Sequence, residues 1–322
     1  MKRFRRTKIN PRIRNLVQDV YLDVKDFIYP LFVVPGKNIK KESEVLEGIY
    51  QMSIDKILDE CEELISLGIY NVILFGVVDI KDSIGSSALD SNSLIAKCIK
   101  SIKEKYPEIM VVSDLCFCEY TDHGHCGVLD CNDILNNDKT LELLAKQALV
   151  HAKSGVDMIA PSGVIDGTIK ALRNILDANG FENLPIMSYS TKFASAFYDP
   201  FRDLADSSPS FGDRKSYQMD FRDSKQAISR SISDEEDGAD ILMVKPAMTY
   251  LDIVSKIKNS SSLPLAVYNV SGEYMMMKSL MKNSIEVYER TMMELMYSFK
   301  RAGADIIISY HAKEVADIMR RK

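Results

Sequence analysis

Two lysines stand at the ends of apolar, strand-like runs. Lys245 closes Ile-Leu-Met-Val-Lys-Pro (241–246), and Lys192 lies in Ser-Tyr-Ser-Thr-Lys-Phe-Ala-Ser (188–195). A single lysine in such a place is ordinarily a snorkelling stem with a solvated head. A pair that shares one low-dielectric pocket behaves differently, because each amine depresses the other's proton affinity and leaves one neutral and nucleophilic near pH 7. A neutral lysine adds to a ketone or aldehyde, gives an imine, and acidifies the adjacent C–H. Arg202 and Arg214 lie in the long polar segment 198–217 and suit a carboxylate-bearing substrate, since guanidinium forks match carboxylates. Taken alone, Arg214 reads as a solvated loop charge.

The densest stretch of ligand-type residues is Asp-Leu-Cys-Phe-Cys-Glu-Tyr-Thr-Asp-His-Gly-His-Cys-Gly (114–127). Cys116 and Cys118 are two apart, so in an extended segment they point the same way. Cys126 returns after a glycine-containing turn. Three thiolates satisfy zinc and leave a fourth position free, the arrangement of a catalytic site. Buried free thiols explain a lone cysteine better, and Cys61, Cys98 and Cys131 are read that way. His123 and His125 either ligate or hydrogen-bond within the loop. His151 reads as structural; Asp122, Asp166 and Asp305 have weaker cases for catalysis, and capping or turn chemistry explains Asp305 better.

These groups need a scaffold that brings them together. Gly-Ile-Tyr-Asn-Val-Ile-Leu-Phe (68–75), Gly-Val-Asp-Met-Ile-Ala (155–160), Gly-Ala-Asp-Ile-Leu-Met-Val (238–244) and Gly-Ala-Asp-Ile-Ile-Ile (303–308) each follow a helix-like segment. Glycine ends the helix in a left-handed conformation, and the apolar run after it reads as a buried parallel strand. With the remaining runs, eight strands are expected near 28–34, 71–77, 109–115, 156–160, 185–190, 240–245, 264–269 and 304–309. Helical patterns lie between them, for example over 53–67, 139–153, 165–179 and 285–301. Eight βα units imply an α/β fold of the (βα)8 TIM-barrel type, residues 26–322, preceded by an extended N-terminal arm, residues 1–25. A doubly wound sheet is the alternative, but Val-Val-Pro-Gly-Lys-Asn-Ile-Lys-Lys-Glu-Ser (33–43) is not a glycine-rich phosphate loop. In a barrel the chemistry gathers at the C-terminal strand ends. There the chain places Asp114, Ser162, Lys192, Lys245, Ser271 and Tyr310, with the segment 198–217 as a lid.

Composition agrees. The 322 residues carry 41 Lys and Arg against 46 Asp and Glu, a mildly acidic balance that argues against nucleic acid as the main partner. No apolar stretch approaches the ~20 residues of a membrane span. The start, residues 1–14, carries seven basic residues and no acid, but no apolar run follows as in a signal peptide. A basic arm lying on an acidic neighbouring subunit is expected. Six cysteines without an export signal point to a reducing, cytoplasmic setting.

Beyond these readings, the chain resembles the delta-aminolevulinic acid dehydratase (porphobilinogen synthase) family from about residue 5 to the end. The resemblance rests on Asp-Leu-Cys-Phe-Cys with His-Gly-His-Cys-Gly, Ala-Pro-Ser (160–162), Ser-Thr-Lys-Phe-Ala-Ser-Ala-Phe-Tyr-Asp-Pro-Phe-Arg (190–202), Phe-Gly-Asp-Arg-Lys-Ser-Tyr-Gln (211–218), Leu-Met-Val-Lys-Pro, Val-Ser-Gly-Glu-Tyr (270–274) and Ile-Ile-Ser-Tyr (307–310). It implies a homo-octamer whose arms embrace neighbours, and condensation of two 5-aminolevulinate molecules into porphobilinogen with loss of two waters. On this basis Lys245 holds the first substrate as a Schiff base and Lys192 the other. Arg202 and Arg214 grip the second carboxylate, Ser271 and Tyr310 the first. Asp114, Ser162, Tyr198 and Gln218 complete the substrate-binding set. Cys116, Cys118 and Cys126 bind a catalytic Zn2+, as in the members that keep these cysteines. Many bacterial relatives carry a glutamate fifteen residues before the barrel lysine to support an allosteric Mg2+. Arg230 stands there instead, so the resemblance does not extend to that ion.

Two other functions fit parts of the pattern. A class I aldolase-type lyase needs only one Schiff-base lysine and no cysteine site. A non-catalytic zinc-binding barrel has no use for lysines, arginines and hydroxyls gathered at strand ends.

Overall fold

The structure is a computed structural model and describes residues 1–282 and 284–321. Its centre is a ring of eight parallel strands. With a short pair outside the ring, β2 (Lys40–Glu42) and β3 (Tyr50–Met52), the strands in chain order are β1 (Phe27–Val33), β2, β3, β4 (Asn71–Gly76), β5 (Met110–Leu115), β6 (Met158–Pro161), β7 (Met187–Lys192), β8 (Ile241–Lys245), β9 (Leu265–Asn269) and β10 (Ile306–Ser309). The hydrogen-bonded order is β6-β5-β4-β1-β10-β9-β8-β7, and a parallel bridge between Ile159 and Ile186 joins the two ends. A doubly wound sheet would leave two free edges. The closed ring is a (βα)8 barrel.

The strands read as unbroken apolar runs because both faces are buried. In β1, Ile28 and Phe32 face the barrel interior, while Phe27, Tyr29, Leu31 and Val33 face the surrounding helices. The same alternation puts Ile241 and Met243 of β8 inside and Leu242 and Val244 outside. Lys245 therefore points inward at the C-terminal end. Strand β7 starts in the same phase, Met187 opposite Ile241 and Ser188 opposite Leu242. Its pairing then shifts, so that Thr191 meets Val244 and Lys192 meets Lys245. One extra residue in β7 is a bulge, and it turns Lys192 onto the inward face that strict alternation would deny it.

The recurring glycine phrase behaves as its sequence implies. Gly68, Gly155, Gly238 and Gly303 have φ of +81°, +85°, +101° and +118° at the ends of their helices. The aspartates of the phrase tie neighbouring strands together at the opposite end from the site. Asp157, Asp240 and Asp305 each accept an N–H from the strand before, those of Val111, Ile186 and Leu265, all at 2.8 Å. Asp305 is thus a strand-end acceptor, as turn chemistry suggested.

The expected helices are present as Ile54–Leu67, Asn137–Lys153, Thr168–Asp177 and Ile285–Ala302, among others. The hairpin of β2 and β3 has no counterpart in the sequence reading. It extends the barrel rim next to β1, and Gln51 donates to the carbonyl of Leu204 at 2.6 Å, reaching the lid. Residues 1–21 bury no side chain, and Phe4, Ile9, Leu16, Val17 and Tyr21 are exposed. Among the described residues, no helix is long and apolar enough to cross a membrane.

Candidate active site

Lys192 and Lys245 are 4% and 5% exposed at the C-terminal mouth of the barrel. The Lys192 amine donates to the carbonyl of Ser162 at 2.7 Å. The Lys245 amine sits in an aromatic box, 4.1 Å from the ring centre of Tyr268, 5.1 Å from Phe201, 5.2 Å from Tyr189 and 5.3 Å from Tyr198. Burial, and then the neighbouring Lys192, bring its pKa down to about 7. Ring faces favour a cation, but they replace water poorly, so desolvation wins and much of the amine is neutral near pH 7.

Asp114 lies across the mouth and accepts from the Ser162 hydroxyl at 3.0 Å. Burial, with the carboxylate of Glu119 adding to it, pushes Asp114 up to about 8, while Lys192 and Lys245 pull it back. An acid and a base with nearly equal proton affinities therefore stand close together, both buried.

The segment expected as a lid, residues 198–217, folds with the residues flanking it over this mouth. A short helix, Asp199–Leu204, carries Phe201 between Phe32 and Phe75, with ring centres 5.5 and 5.1 Å apart. Tyr198 donates to the carbonyl of Lys245 at 2.9 Å. Ser271 accepts from the N–H of Phe201 at 3.0 Å and donates to the carbonyl of Phe197 at 3.2 Å, so it joins β9 to the lid. Arg202 pairs with Asp199 at 2.8 Å, and its buried Nε is unpartnered among the described residues. Both amide atoms of buried Gln218 are likewise unpartnered. The hydroxyl of Tyr310 lies 3.4 Å from that of Tyr268, beside the aromatic box.

Arg214 is buried, not a solvated loop charge. It donates to the carbonyl of Gly124 at 2.9 Å and to that of Ser207. Burial works against its charge, but the Cys126 and Cys118 sulfurs beside it outweigh that and hold it protonated. Gly124 has φ +69°, and a Cβ there would collide with the carbonyl of Ser208. The lid can rest on this loop only because residue 124 has no side chain.

The three cysteines converge. Cys116, Cys118 and Cys126 are buried with sulfurs within 4.8 Å of one another, and Cys116 and Cys118 are 3.2 Å apart. Hydrogen bonds from Cys116 and Cys118, then the charges of Arg214 and Lys192, hold the Cys126 thiol well below its usual range. The histidines do not join them. His123 accepts from the N–H of His125 at 3.1 Å through Nδ1, and its Nε2 donates to the carbonyl of Ser83 at 3.3 Å. His125 accepts from Tyr217 at 3.1 Å and donates to Phe211 at 3.2 Å. Every ring nitrogen is used within the loops. Cys61 and Cys98 are buried on helices, Cys131 is exposed, and His151 bonds Ser113 at 2.9 Å.

Two contributors escaped the sequence reading. One is the aromatic box, whose members come from β7, β9 and the lid. The other is Glu273, buried beneath Lys245, which accepts from the N–H groups of Ala247, Met248 and Val270 and from Asn269, at 2.6 to 3.1 Å. Burial pushes it up to about 7 despite those donors. Its position in Val-Ser-Gly-Glu-Tyr, three residues after a strand-end valine, was the available signal. Fifteen residues before Lys245, Arg230 pairs with Asp166 at 2.7 Å and donates to the carbonyl of Ile165 at 2.9 Å.

Known proteins are similar to this chain over nearly its whole length. The family model described as delta-aminolevulinic acid dehydratase matches residues 1–318. The delta-aminolevulinic acid dehydratase of Helicobacter pylori (strain J99) is 54% identical over 99% of both chains. That of Bacillus subtilis (strain 168) is 48% identical over 98% of this chain and 97% of its own. The crystal structure of the Toxoplasma gondii ME49 enzyme with its reaction product porphobilinogen superposes with a TM-score of 0.97, at 38% identity, over 100% of this chain and 92% of that one. The chain, a lyase built on a (βα)8 barrel, belongs to the delta-aminolevulinic acid dehydratase family.

Proposed function

We propose that this chain is a porphobilinogen synthase, joining two 5-aminolevulinate molecules into porphobilinogen with loss of two waters. The observation that carries the reading is the pair of buried lysines in register at the barrel mouth, one with a pKa of about 7. The neutral amine of Lys245 adds to the ketone carbon of the first substrate. Loss of water gives an imine whose positive charge draws electrons from the adjacent C–H. Asp114 has a similar proton affinity, so a proton passes between it and the lysine site at little cost. Lys192 holds the second substrate in the same way, facing Ser162 and Asp114.

Carboxylate recognition divides between the two sides of the mouth. Ser271 and Tyr310 serve the first substrate, and Arg202 and Arg214 the second. Tyr198 and Gln218 line the space between, and the unpartnered atoms of Arg202 and Gln218 support this assignment. With Phe201 over Lys245, the closed lid keeps water from the imine.

The cysteine cluster suits Zn2+. Three thiols with one already inclined to ionise are the donor set of a borderline-soft cation, and Cys116, Cys118 and Cys126 would hold it. Such an ion supplies Lewis acidity beside the second substrate. Arg230 is committed to Asp166 and Ile165, which supports a reading without allosteric Mg2+ at that position. Residues 1–25 are read as an arm that contacts a neighbour in a homo-octamer, a reading supported by the exposure of Phe4, Ile9, Leu16, Val17 and Tyr21. Cytoplasmic location is consistent with six unpaired cysteines.

The test is pyrrole formation from 5-aminolevulinate, followed with an aldehyde reagent for pyrroles and repeated after chelation. Colour that is lost with the chelator and restored by zinc is expected. No pyrrole in the presence of zinc refutes the activity.

A further inference from the structure

The extra residue of β7 has to be held in place, because a bulge disrupts the ladder of backbone hydrogen bonds where it occurs. The side chains show where it is taken up. Ser188 faces the helix Ser224–Glu236, and its hydroxyl donates to Asp234 at 2.6 Å. Tyr189 faces inward, into the box around Lys245. Ser190 and Thr191 then both face outward, to a single residue of the same helix, Ser231. A regular strand forbids two consecutive side chains on one face, and a bulge allows them. Lys192 follows on the inner face and donates to the carbonyl of Ser162.

Ser231 is buried in the middle of its helix. A serine there can bond to the carbonyl four residues back, which is that of Ala227. Here the strand reaches that carbonyl instead, with the Thr191 hydroxyl 3.3 Å from it. The Thr191 hydroxyl also lies 3.0 Å from that of Ser231, and Ser231 donates to Ser190 at 3.0 Å. Ser190 and Thr191 are both fully buried. Strict alternation would turn one of them away from Ser231 and leave buried hydroxyls short of a partner. The bulged register keeps hydrogen bonds that the regular one loses.

We infer that Ser231 is a positioning residue for the reaction: its hydroxyl takes Ser190 and Thr191 together and so fixes the bulge that turns Lys192 inward beside Lys245. The inference rests on the paired-lysine reading of the site. Ser231 lies behind the barrel wall, in the helix layer, and acts only through β7. Without its hydroxyl β7 relaxes toward regular alternation, and the Lys192 amine withdraws from Lys245 and from the Ser162 carbonyl. Asp234 holds only Ser188, before the irregular stretch, where β7 and β8 are still in phase.

The experiment uses the full-length, zinc-loaded protein with 5-aminolevulinate and borohydride, and peptide mass spectrometry reads Lys192 and Lys245 separately. Ser231→Ala is compared with the parent after circular dichroism has checked its fold. Label on Lys192 should fall about threefold to tenfold relative to Lys245, the effect of losing one or two buried hydrogen bonds. The pH midpoint of trapping at Lys245 should rise. The charge of Lys192 that lowers it has withdrawn, while Asp114, Cys118 and Glu119, which raise it, remain. Added to Lys192→Met, Ser231→Ala should move that midpoint no further. Thr191→Val, which removes the other hydroxyl, should act in the same direction and serves if the alanine variant does not fold. A parental label ratio and midpoint in these variants overturn the inference, as does a loss of label that is equal at both lysines. A midpoint shift that persists undiminished without Lys192 overturns it too. No label on either lysine of the parent overturns the paired-lysine reading itself.

Discussion

Lys192 and Lys245 face each other across β7 and β8 because β7 spends three residues between Ser188 and Thr191 where β8 spends two. Without that irregularity Lys192 would share the outward phase of Ser188, toward the helix layer, and Lys245 would stand alone in its aromatic box. The bulge brings two strand-end lysines together as one buried pair. It also sets the electrostatics, since the neighbouring amine is the second cause, after burial, of the depressed pKa of Lys245.

Imine formation should therefore follow a titration centred near pH 7. A lysine with a depressed pKa is protonated and inert below that value and neutral above it. The borohydride-trapping rate at Lys245 should rise through about pH 7 and level off above it. In Lys192→Met the neighbouring charge is gone, so the midpoint should move to higher pH. A midpoint unchanged by Lys192→Met contradicts the coupling.

Replacing Cys126 by serine removes the sulfur best disposed to ionise. Bound zinc, measured by elemental analysis of dialysed protein, should fall, and turnover should drop on the order of a hundredfold or more. The barrel should persist, because Cys126 lies in a loop outside the sheet. Full zinc occupancy in Cys126→Ser would remove the three-thiolate assignment.

Glu273→Ala strips the acceptor from three backbone N–H groups behind Lys245. Each unmet buried donor costs about 1–3 kcal/mol, so a loss of about 3 kcal/mol or more is expected in urea unfolding. Glu273→Gln keeps one acceptor oxygen and should lose less. Equal stability of the alanine variant and the parent would show that these donors find other partners.

Gly124→Ala puts a Cβ against the Ser208 carbonyl and demands a left-handed residue. The lid should dock poorly. We expect KM to rise and proteolysis within residues 205–216 to accelerate, with kcat less affected. Unchanged proteolysis would mean that the lid does not depend on this contact.

Much of this was legible in the residues, and the limits have physical reasons. The four glycine phrases carry helix stop and strand start in one local signal, so eight strands were found with ends displaced by at most two residues, while their closure into a ring is non-local. The cysteines were legible because metal donors must be near in space and these are also near in sequence. Arg214 was misread in isolation: its partners, Gly124, Ser207 and the cysteines, are fixed by how the lid folds back. The bulge in β7 leaves no mark in composition. Ser-Tyr-Ser-Thr-Lys looks like a regular alternating strand, and only pairing with β8 reveals the extra residue. The box around Lys245 was hidden for the same reason, since Tyr189, Tyr268 and Phe201 meet only when the barrel closes and the lid comes down.

The most direct measurement is borohydride reduction of the zinc-loaded protein with 5-aminolevulinate, followed by peptide mass spectrometry. The account expects substrate-derived mass on Lys245, on Lys192 at higher substrate, and on no other lysine. Reduced adducts on neither Lys192 nor Lys245, under conditions where porphobilinogen forms, would contradict the paired-lysine mechanism.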